Sequence, residues 1–237
     1  MSADAMASDA ATLITPDAPA IRSLLEQIAH SQADDVAIAT SIHDWVRDEI
    51  QFGFMPAFYQ MTASEVLAAR AGYCNTKATL FVSLLRAAGI PARIRVFDLS
   101  AIVLDGLIDP ATPYVDHSIT EVRLNKRWLG VDSYVVDRPL ADAARRRLSN
   151  STKRAGFGVH LGGTSDWDGH SNSFIQCVDD GSIDDYILRD HGVFDDIDQF
   201  YRLAPNPRNK LNHFTRLFLW LGSQSINARI EAVRRST

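Results

Sequence analysis

The pattern of apolar and polar residues in the first half of the chain is typical of amphipathic helices. In the segment 35–50, apolar side chains recur every three or four residues, which predicts a helix. The residues of this apolar face are Val36, Ala39, Ile42, Val46 and Ile50. Further on, Thr62 and Glu65 have the spacing of a capping box and predict a short helix that ends near Arg70. Gly72 then interrupts the helical pattern.

A third helix is predicted from Cys74 to about Ala88, and strands are predicted after it. Gly89 and Pro91 stand where the C-terminus of a helix is expected. Runs of strand-forming residues predict three strands, at 92–97, 117–124 and 128–136. The last two strands form a predicted hairpin across residues 125–127.

The second half of the chain carries weaker patterns. Residues 138–148 predict a basic helix, and the glycine-rich segment 153–181 predicts a long loop with one short strand at 174–178. The remainder, from about 183 to 235, is predicted to be mostly helical. The order of the predicted elements is helices, then antiparallel strands, then helices. This order indicates the α+β class rather than an alternating α/β protein.

Composition and charge narrow the class of protein. The chain has 237 residues, of which 46% are hydrophobic and 22% charged, as in ordinary globular domains. The formal net charge of −5 argues against nucleic acid as the main partner. No apolar run approaches the roughly 20 residues that cross a bilayer, so we expect no membrane association. Residues 1–20 contain no targeting signal and are predicted to be a disordered leader.

The chain has two cysteines, Cys74 and Cys177, which are too few for a disulfide framework. They fit a reducing compartment, so we expect a cytoplasmic protein. Cys74 stands at the start of the third predicted helix, where unpaired N–H groups and the helix dipole stabilise an anion. That position favours the thiolate, which is the reactive form of cysteine. The alternative is a buried structural cysteine that packs as a small hydrophobic residue.

The predicted hairpin brings a histidine and an aspartate together. If its turn consists of residues 125–126, His117 and Asp132 become diagonal neighbours on one face of the hairpin. The carboxylate would then orient the imidazole, as the third member of a Cys–His–Asp triad does. A register slip of one residue would place the two side chains on opposite faces, and they would then be unrelated.

Three blocks of this region resemble the bacterial transglutaminase-like superfamily. Residues 72–93 contain its Gly-x-Cys sequence on a helix and its Leu-Arg-x-x-Gly-Ile-Pro-Ala-Arg sequence that enters a strand. Residues 117–121 are similar to its His-x-Trp-x-Glu strand, with Ile119 in place of the tryptophan. Residues 128–132 resemble its Trp-x-x-Asp-Pro-Thr strand, without the Pro-Thr. The resemblance covers about 36–137.

The resemblance implies a papain-like fold core and a role for each of three residues. Cys74 would be the nucleophile, His117 the general base and acid, and Asp132 the residue that orients the imidazole. The catalytic core would span residues 21–140. Residues 141–237 would form a C-terminal extension of loop and helices that packs on this core.

Five further residues are candidates for the substrate cleft. Relatives supply the second oxyanion donor from a backbone N–H or from an upstream side chain, and Gln51 and Tyr59 are candidates for that role. For both residues, however, an ordinary loop residue is the favoured interpretation. Tyr73 and Asn75 flank the nucleophile, with Asn75 in place of the family's usual aromatic residue, and His170 lies in the glycine-rich loop.

Neither a metal nor any other cofactor is expected. Residues 166–170 alternate metal-capable side chains, but they offer too few ligands for a cation site. A loop that borders the active-site cleft, with its carboxylates in water, is the favoured interpretation. The amphipathic segment 211–230 predicts a helix that packs on the core, and a homo-oligomer interface is the alternative for this helix.

Three functions remain open. In a hydrolase, water would resolve a thioacyl enzyme formed from a peptide or a small-molecule amide. In an acyltransferase or transglutaminase, an amine would resolve it; arylamine acetyltransferases share the Cys–His–Asp order. A non-catalytic binding module would keep the fold without the chemistry. We expect hydrolysis, because water is always present and no dedicated amine pocket is visible in the sequence.

Overall fold

The computed structural model describes residues 12–109, 112–177, 186–203 and 213–236, with the backbone alone for 213–221. Its helices are α1 (Pro19–Ala29), α2 (Asp35–Glu49), α3 (Ala63–Ala69), α4 (Cys74–Ala87), α5 (Arg138–Ser149), α6 (Ile197–Leu203) and α7 (His213–Arg234). Its strands are β1 (Gln51–Phe52), β2 (Ala71–Gly72), β3 (Ala92–Ser100), β4 (Tyr114–Leu124), β5 (Arg127–Val131), β6 (Ala155–Gly156), β7 (Val159–His160) and β8 (Ile187–Phe194). The predicted α+β class is confirmed. Within the described ranges, no helix combines the length and the apolar character needed to cross a bilayer.

The core lies between α4 and a four-stranded antiparallel sheet. The strand order in this sheet is β5-β4-β3-β8. Helix α4 packs on β4 and β3 on one side and on α1, α2 and α3 on the other. All residues of α4 except Arg86 are buried, so this helix is surrounded by the other elements. The helix lies in the centre because burial of its apolar side chains removes a large apolar area from water.

The hairpin of β4 and β5 has the predicted register. Leu124 pairs with Arg127, and Thr120 pairs with Val131. The two turn residues between the strands, 125 and 126, have φ values of 49° and 65°. Positive φ at both central positions is the type I′ turn, whose twist matches that of the strands. The two-residue turn is therefore confirmed, although neither of its residues is glycine.

The prediction of a mostly helical segment 183–235 is wrong at β8. Residues 187–194 form an edge strand that pairs with β3, so the segment 141–237 contributes to the sheet and is more than loop and helices. Arg95 on β3 pairs with Asp190, and His191 bonds Asp98 at 2.8 Å. These contacts with a strand about 95 residues away override the local pattern. The short strand expected at 174–178 is not formed by residues 174–177, and residue 178 lies outside the described residues.

The prediction of a disordered leader over residues 1–20 is wrong for residues 12–20. The carboxylate of Asp196 accepts hydrogen bonds from the hydroxyl of Thr12 and from the N–H groups of Leu13 and Ile14, at 2.7–3.1 Å. Ile14 is buried in the core, and α1 begins at Pro19. Apolar burial and one well-placed acceptor therefore order this segment. Residues 1–11 lie outside the described residues.

A lysine is buried in the helix that carries Cys74. The Nζ of Lys77 donates to the carbonyl of Ile50 at 2.6 Å, and its side chain is fully buried. Burial lowers the pKa of Lys77 to about 7, against the opposing influence of Asp137 and Asp48. The folded protein therefore releases this proton at a lower pH than the unfolded chain does.

This difference predicts how stability depends on pH. Between pH 7 and about 10.5, the unfolded chain holds a proton on Lys77 that the folded protein has lost. Raising the pH through this window should raise the free energy of unfolding of the wild type, relative to Lys77→Met, by about 1 kcal/mol per pH unit. Urea denaturation of both proteins across the window measures this. Lys153→Met is the control, because the side chain of Lys153 is half-exposed. If the difference in free energy of unfolding between the wild type and Lys77→Met did not change with pH, the prediction would be contradicted.

Candidate active site

Cys74 is the first residue of α4, where the chain turns out of the short strand β2. Tyr73 is the N-cap, and its backbone N–H donates to Thr76 Oγ1 at 3.0 Å. A Cβ on Gly72 would lie 2.6 Å from the same oxygen, so this close approach requires glycine. The Cys74 side chain lines a cavity. The helix therefore presents the sulfur beside the N–H groups of its first turn.

His117 on β4 and Asp132 just after β5 form a buried hydrogen-bonded pair. Their Nε2 and Oδ2 atoms are 2.9 Å apart, with side chains 2% and 0% exposed. Burial alone would lower the pKa of His117, but hydrogen bonds with Asp132 and Cys74, and the charges of both, raise this pKa to about 10. Since Nε2 bonds Asp132, the other ring nitrogen, Nδ1, is left for the sulfur of Cys74. The imidazolium is thus the stable form of His117 at neutral pH.

The second oxygen of Asp132 is held by the chain beyond the hairpin. The N–H of Ile175 donates to Oδ1 at 2.5 Å, and the N–H of Asp132 donates to the carbonyl of Ser173 at 2.9 Å. Both oxygens of the buried carboxylate therefore accept hydrogen bonds, as a buried charge requires. The residues 173–175 of the extension are part of the structure that fixes the orientation of His117.

A second Ser–His–Asp arrangement lies behind this pair. His43 Nε2 is 2.7 Å from Ser133 Oγ, and His43 Nδ1 is 2.9 Å from Asp44 Oδ1. His43 and Ser133 are both fully buried, so a substrate cannot reach them. Burial lowers the pKa of His43, which keeps this imidazole neutral. We interpret the group as structural support for the turn that carries Asp132.

Asn75, which follows the nucleophile, connects three elements. Its Nδ2 donates to Tyr201 on α6 at 2.7 Å and to Asp116 on β4 at 3.2 Å. Its Oδ1 accepts from Ser118 Oγ at 2.5 Å and lies 3.7 Å from the Cys74 sulfur. Tyr201 also donates to Asp116. The polar side chain at this position therefore ties the nucleophile helix to β4 and to the C-terminal part of the chain.

The cavity in front of Cys74 and His117 has a volume of about 200 Å³. Its walls consist mostly of aromatic and aliphatic side chains. Those apolar residues are Phe52, Phe54, Phe58, Tyr73, Leu99, Val103, Leu104, Ile108 and Val115. Asp116 and Gln176 are the other polar residues of the lining in the described part of the chain. The cavity is thus an apolar recess with the sulfur and the imidazole in its wall.

Of the five further candidates, Tyr73 is the one that lines this cavity. Gln51 lies on β1 with an exposed side chain, and Tyr59 stacks on Tyr201 with ring centroids 3.8 Å apart. Neither of these two oxyanion candidates lines the cavity, and Asn75 is buried behind Cys74. Gln51, Tyr59 and Asn75 are near Cys74 in the sequence, but in the folded chain their side chains do not line the cavity.

His170 lies in a different depression from the cavity. That depression is lined by His170, Asp34, Asp35 and Asn125, among others, and shares no residue with the lining of the cavity. The turn that carries His170 is stabilised by Asp168, whose Oδ1 accepts a hydrogen bond from the N–H of His170 at 2.8 Å. His170 therefore does not line the cavity that contains Cys74 and His117, and its contact with a substrate stays a prediction. In the part of the chain that the structure describes, no group of three His, Cys, Asp or Glu residues is arranged to hold a metal ion.

The sequence patterns do not identify three residues of the site, which are Asp116, Gln176 and Tyr201. Asp116 directly precedes His117 in the sequence, and this adjacency alone could have identified it as a candidate site residue. Gln176 and Tyr201 come from segments without a motif, far from Cys74 along the chain, and only the folded structure brings them to the site. Long-range packing therefore supplies part of the lining that local patterns do not reveal.

Comparison with known proteins finds a match over about the first half of the chain. Residues 22–133 match the model of the transglutaminase-like superfamily. A crystal structure of a candidate cysteine protease from Cytophaga hutchinsonii is similar, with 20% identity and a TM-score of 0.42 over 51% of this chain and 38% of that chain. A candidate protease from Parabacteroides distasonis has 13% identity and a TM-score of 0.38 over 50% of this chain and 24% of that chain. No curated protein matches the sequence. The chain thus spans well under half the length of these two solved relatives.

The geometry of the pair predicts what Asp132→Asn does to His117. An amide carries no negative charge, so burial becomes the dominant influence and the pKa of His117 should fall well below 10. NMR titration of the labelled imidazole carbons measures this pKa. Asp98→Asn is the matched control, since Asp98 bonds a different histidine, His191. An unchanged His117 titration in Asp132→Asn would contradict the assignment of the partner.

Proposed function

We propose that this chain, whose residues 22–133 match the model of the transglutaminase-like superfamily, is a cysteine-dependent amide or peptide hydrolase that acts through a thioacyl enzyme. The family match supports the coarser statement, a cysteine hydrolase or transglutaminase-like function. One observation carries the finer proposal. Cys74 and His117 line the same cavity, and His117 is hydrogen-bonded to the buried Asp132.

Each step of the reaction has a residue to perform it. The sulfur of Cys74, whose proton has already passed to His117, attacks the carbonyl carbon and forms a C–S bond. The resulting imidazolium gives the proton to the leaving nitrogen as the C–N bond breaks, and a thioester remains on Cys74. Water then attacks the thioester, losing a proton to His117, and the acid and the free thiol are released. Asp132 keeps the imidazole aligned in both halves.

The tetrahedral oxyanion needs hydrogen-bond donors. The first-turn N–H groups of α4 are one source. The hydroxyl of Tyr73 is the second in this proposal, in place of Gln51 and Tyr59. Tyr73 lines the cavity beside Cys74, and its buried hydroxyl lies close to the side chain of Asn75. Burial raises the pKa of Tyr73, and the charges of Cys74 and Asp116 raise it further, so the hydroxyl keeps the proton that it would donate.

Product analysis separates the proposed hydrolysis from its alternatives. The protein is incubated with a mixture of peptides in water labelled with heavy oxygen, with and without methylamine, and the products are identified by mass spectrometry. We expect acids that carry one labelled oxygen from the wild type. The matched control is Cys177→Ser, which should retain this activity, whereas Cys74→Ser should lose it.

Two outcomes would overturn the proposal. Methylamides as the main products would identify an acyltransferase, because an amine then resolves the thioester in preference to water. Absence of both products, with the protein folded, would favour a binding module.

The Tyr73 hydroxyl predicts a specific kinetic effect. Tyr73→Phe removes a donor that acts in the transition state, so kcat should fall about 100-fold while KM changes little. Steady-state hydrolysis of a peptide found in the product analysis measures both constants. Tyr59→Phe is the control, because Tyr59 is also buried but does not line the cavity. Equal activities of the two variants would exclude Tyr73 as an oxyanion donor.

A further inference from the structure

The walls of the cavity are built from two rigid apolar groups. Phe54 stacks on Tyr73 with ring centroids 5.1 Å apart, and its ring also meets Phe52 edge to face at 5.8 Å. The second group is aliphatic and includes Leu99 and Val103, both 1% exposed. Side chains that pack against one another in this way define a cavity of fixed shape. The cavity therefore selects what enters it by shape and by polarity.

The size of the cavity fits one side chain. Its volume is about 200 Å³. Pockets that enclose a whole drug-sized ligand usually have about 300–1,000 Å³. Since the sulfur of Cys74 lies in the wall, a group in the cavity belongs to the part of the substrate that carries the reacting carbonyl.

Two polar residues of the lining, Gln176 and Asp116, already form hydrogen bonds within the protein. Gln176 Nε2 donates to the carbonyl of Gly158 at 2.9 Å, and Asp116 accepts hydrogen bonds from Asn75 and Tyr201. A carboxamide that entered this recess would lose its hydrogen bonds to water without adequate replacement. An anionic side chain would in addition be repelled by the Asp116 carboxylate.

From these observations we infer that the substrate carries a large apolar side chain, aromatic or branched aliphatic, on the acyl side of the bond that is cleaved. A peptide with phenylalanine or leucine before the scissile bond has this chemistry. Glutamine and glutamate at that position are disfavoured. The inference rests on the proposed function, because that function identifies the cavity as the acyl site.

Protection of Cys74 from iodoacetamide tests the inference without requiring turnover. The rate of Cys74 alkylation is measured in Cys177→Ser, in the presence of N-acetyl amides of phenylalanine, leucine, glutamine or glutamate. The phenylalanine and leucine amides should give half-protection at concentrations about tenfold lower than the glutamine amide, because they bury more apolar surface. Equal or better protection by the glutamine amide, or no protection by any of the four, would overturn the inference.

A pair of variants links the protection to the cavity. Val115 lines the cavity on β4, and Val115→Phe should fill part of it and raise the half-protecting concentration of the phenylalanine amide at least severalfold. Val193→Phe is the matched control, because Val193 lies on β8 of the same sheet, is 42% exposed and does not line the cavity. Equal protection in the two variants would show that the amide binds elsewhere and would refute the inference.

The two proposals fail in distinguishable ways. Selective protection by apolar amides together with absence of any hydrolysis would refute the proposed function and leave the apolar selectivity of the cavity standing. Hydrolysis with a preference for glutamine before the cleaved bond would support the function and refute the inference on substrate class.

Discussion

The hydrogen bond between His117 and Asp132 is the interaction on which the rest of the structure depends. Both side chains are almost completely buried, and a charged pair in that position is stable only if every partner is present. Removing one partner of such a pair typically costs about 3–5 kcal/mol. Because both partners of the buried pair must be present, the pair fixes the register of the hairpin. A slip of one residue would separate the two side chains. The same bond orients the imidazole towards Cys74, so that stability and the proposed chemistry depend on one contact.

That contact also makes the C-terminal part of the chain necessary for the site. The N–H of Ile175 satisfies the second oxygen of Asp132, and Tyr201 bonds Asn75 and Asp116 beside the nucleophile. Strand β8 completes the sheet on which α4 packs. The contacts that support the site therefore cross the boundary near residue 140 that the family resemblance implied. The local site residues come from the first half, and their supports come from the second.

The parts of the fold that the sequence predicted well depend on neighbours in the chain. The capping box of Thr62 and Glu65 and the two-residue turn at 125–126 involve residues one to three positions apart, and the structure contains both. Strand β8 was predicted as helix because its pairing with β3 is set by contacts about 95 residues away. The position of the Tyr73 hydroxyl and the hydrogen bond from Tyr201 to Asp116 likewise depend on packing between distant segments. A pattern identifies a reactive residue type, whereas only tertiary contacts determine which polar atoms face the cavity.

The site combines two features that oppose folding. A buried hydroxyl such as that of Tyr73 costs about 1–3 kcal/mol where its hydrogen bonding is incomplete, and apolar side chains that line a cavity make fewer packing contacts than those in a close-packed core. Elsewhere in the same region, buried polar atoms such as those of Asp132, Asn75 and Lys77 have partners. Tyr73 and the cavity both border Cys74. A substrate whose carbonyl accepts from Tyr73 and whose apolar side chain fills the cavity would remove both costs at once, which is the complementarity expected of a binding site.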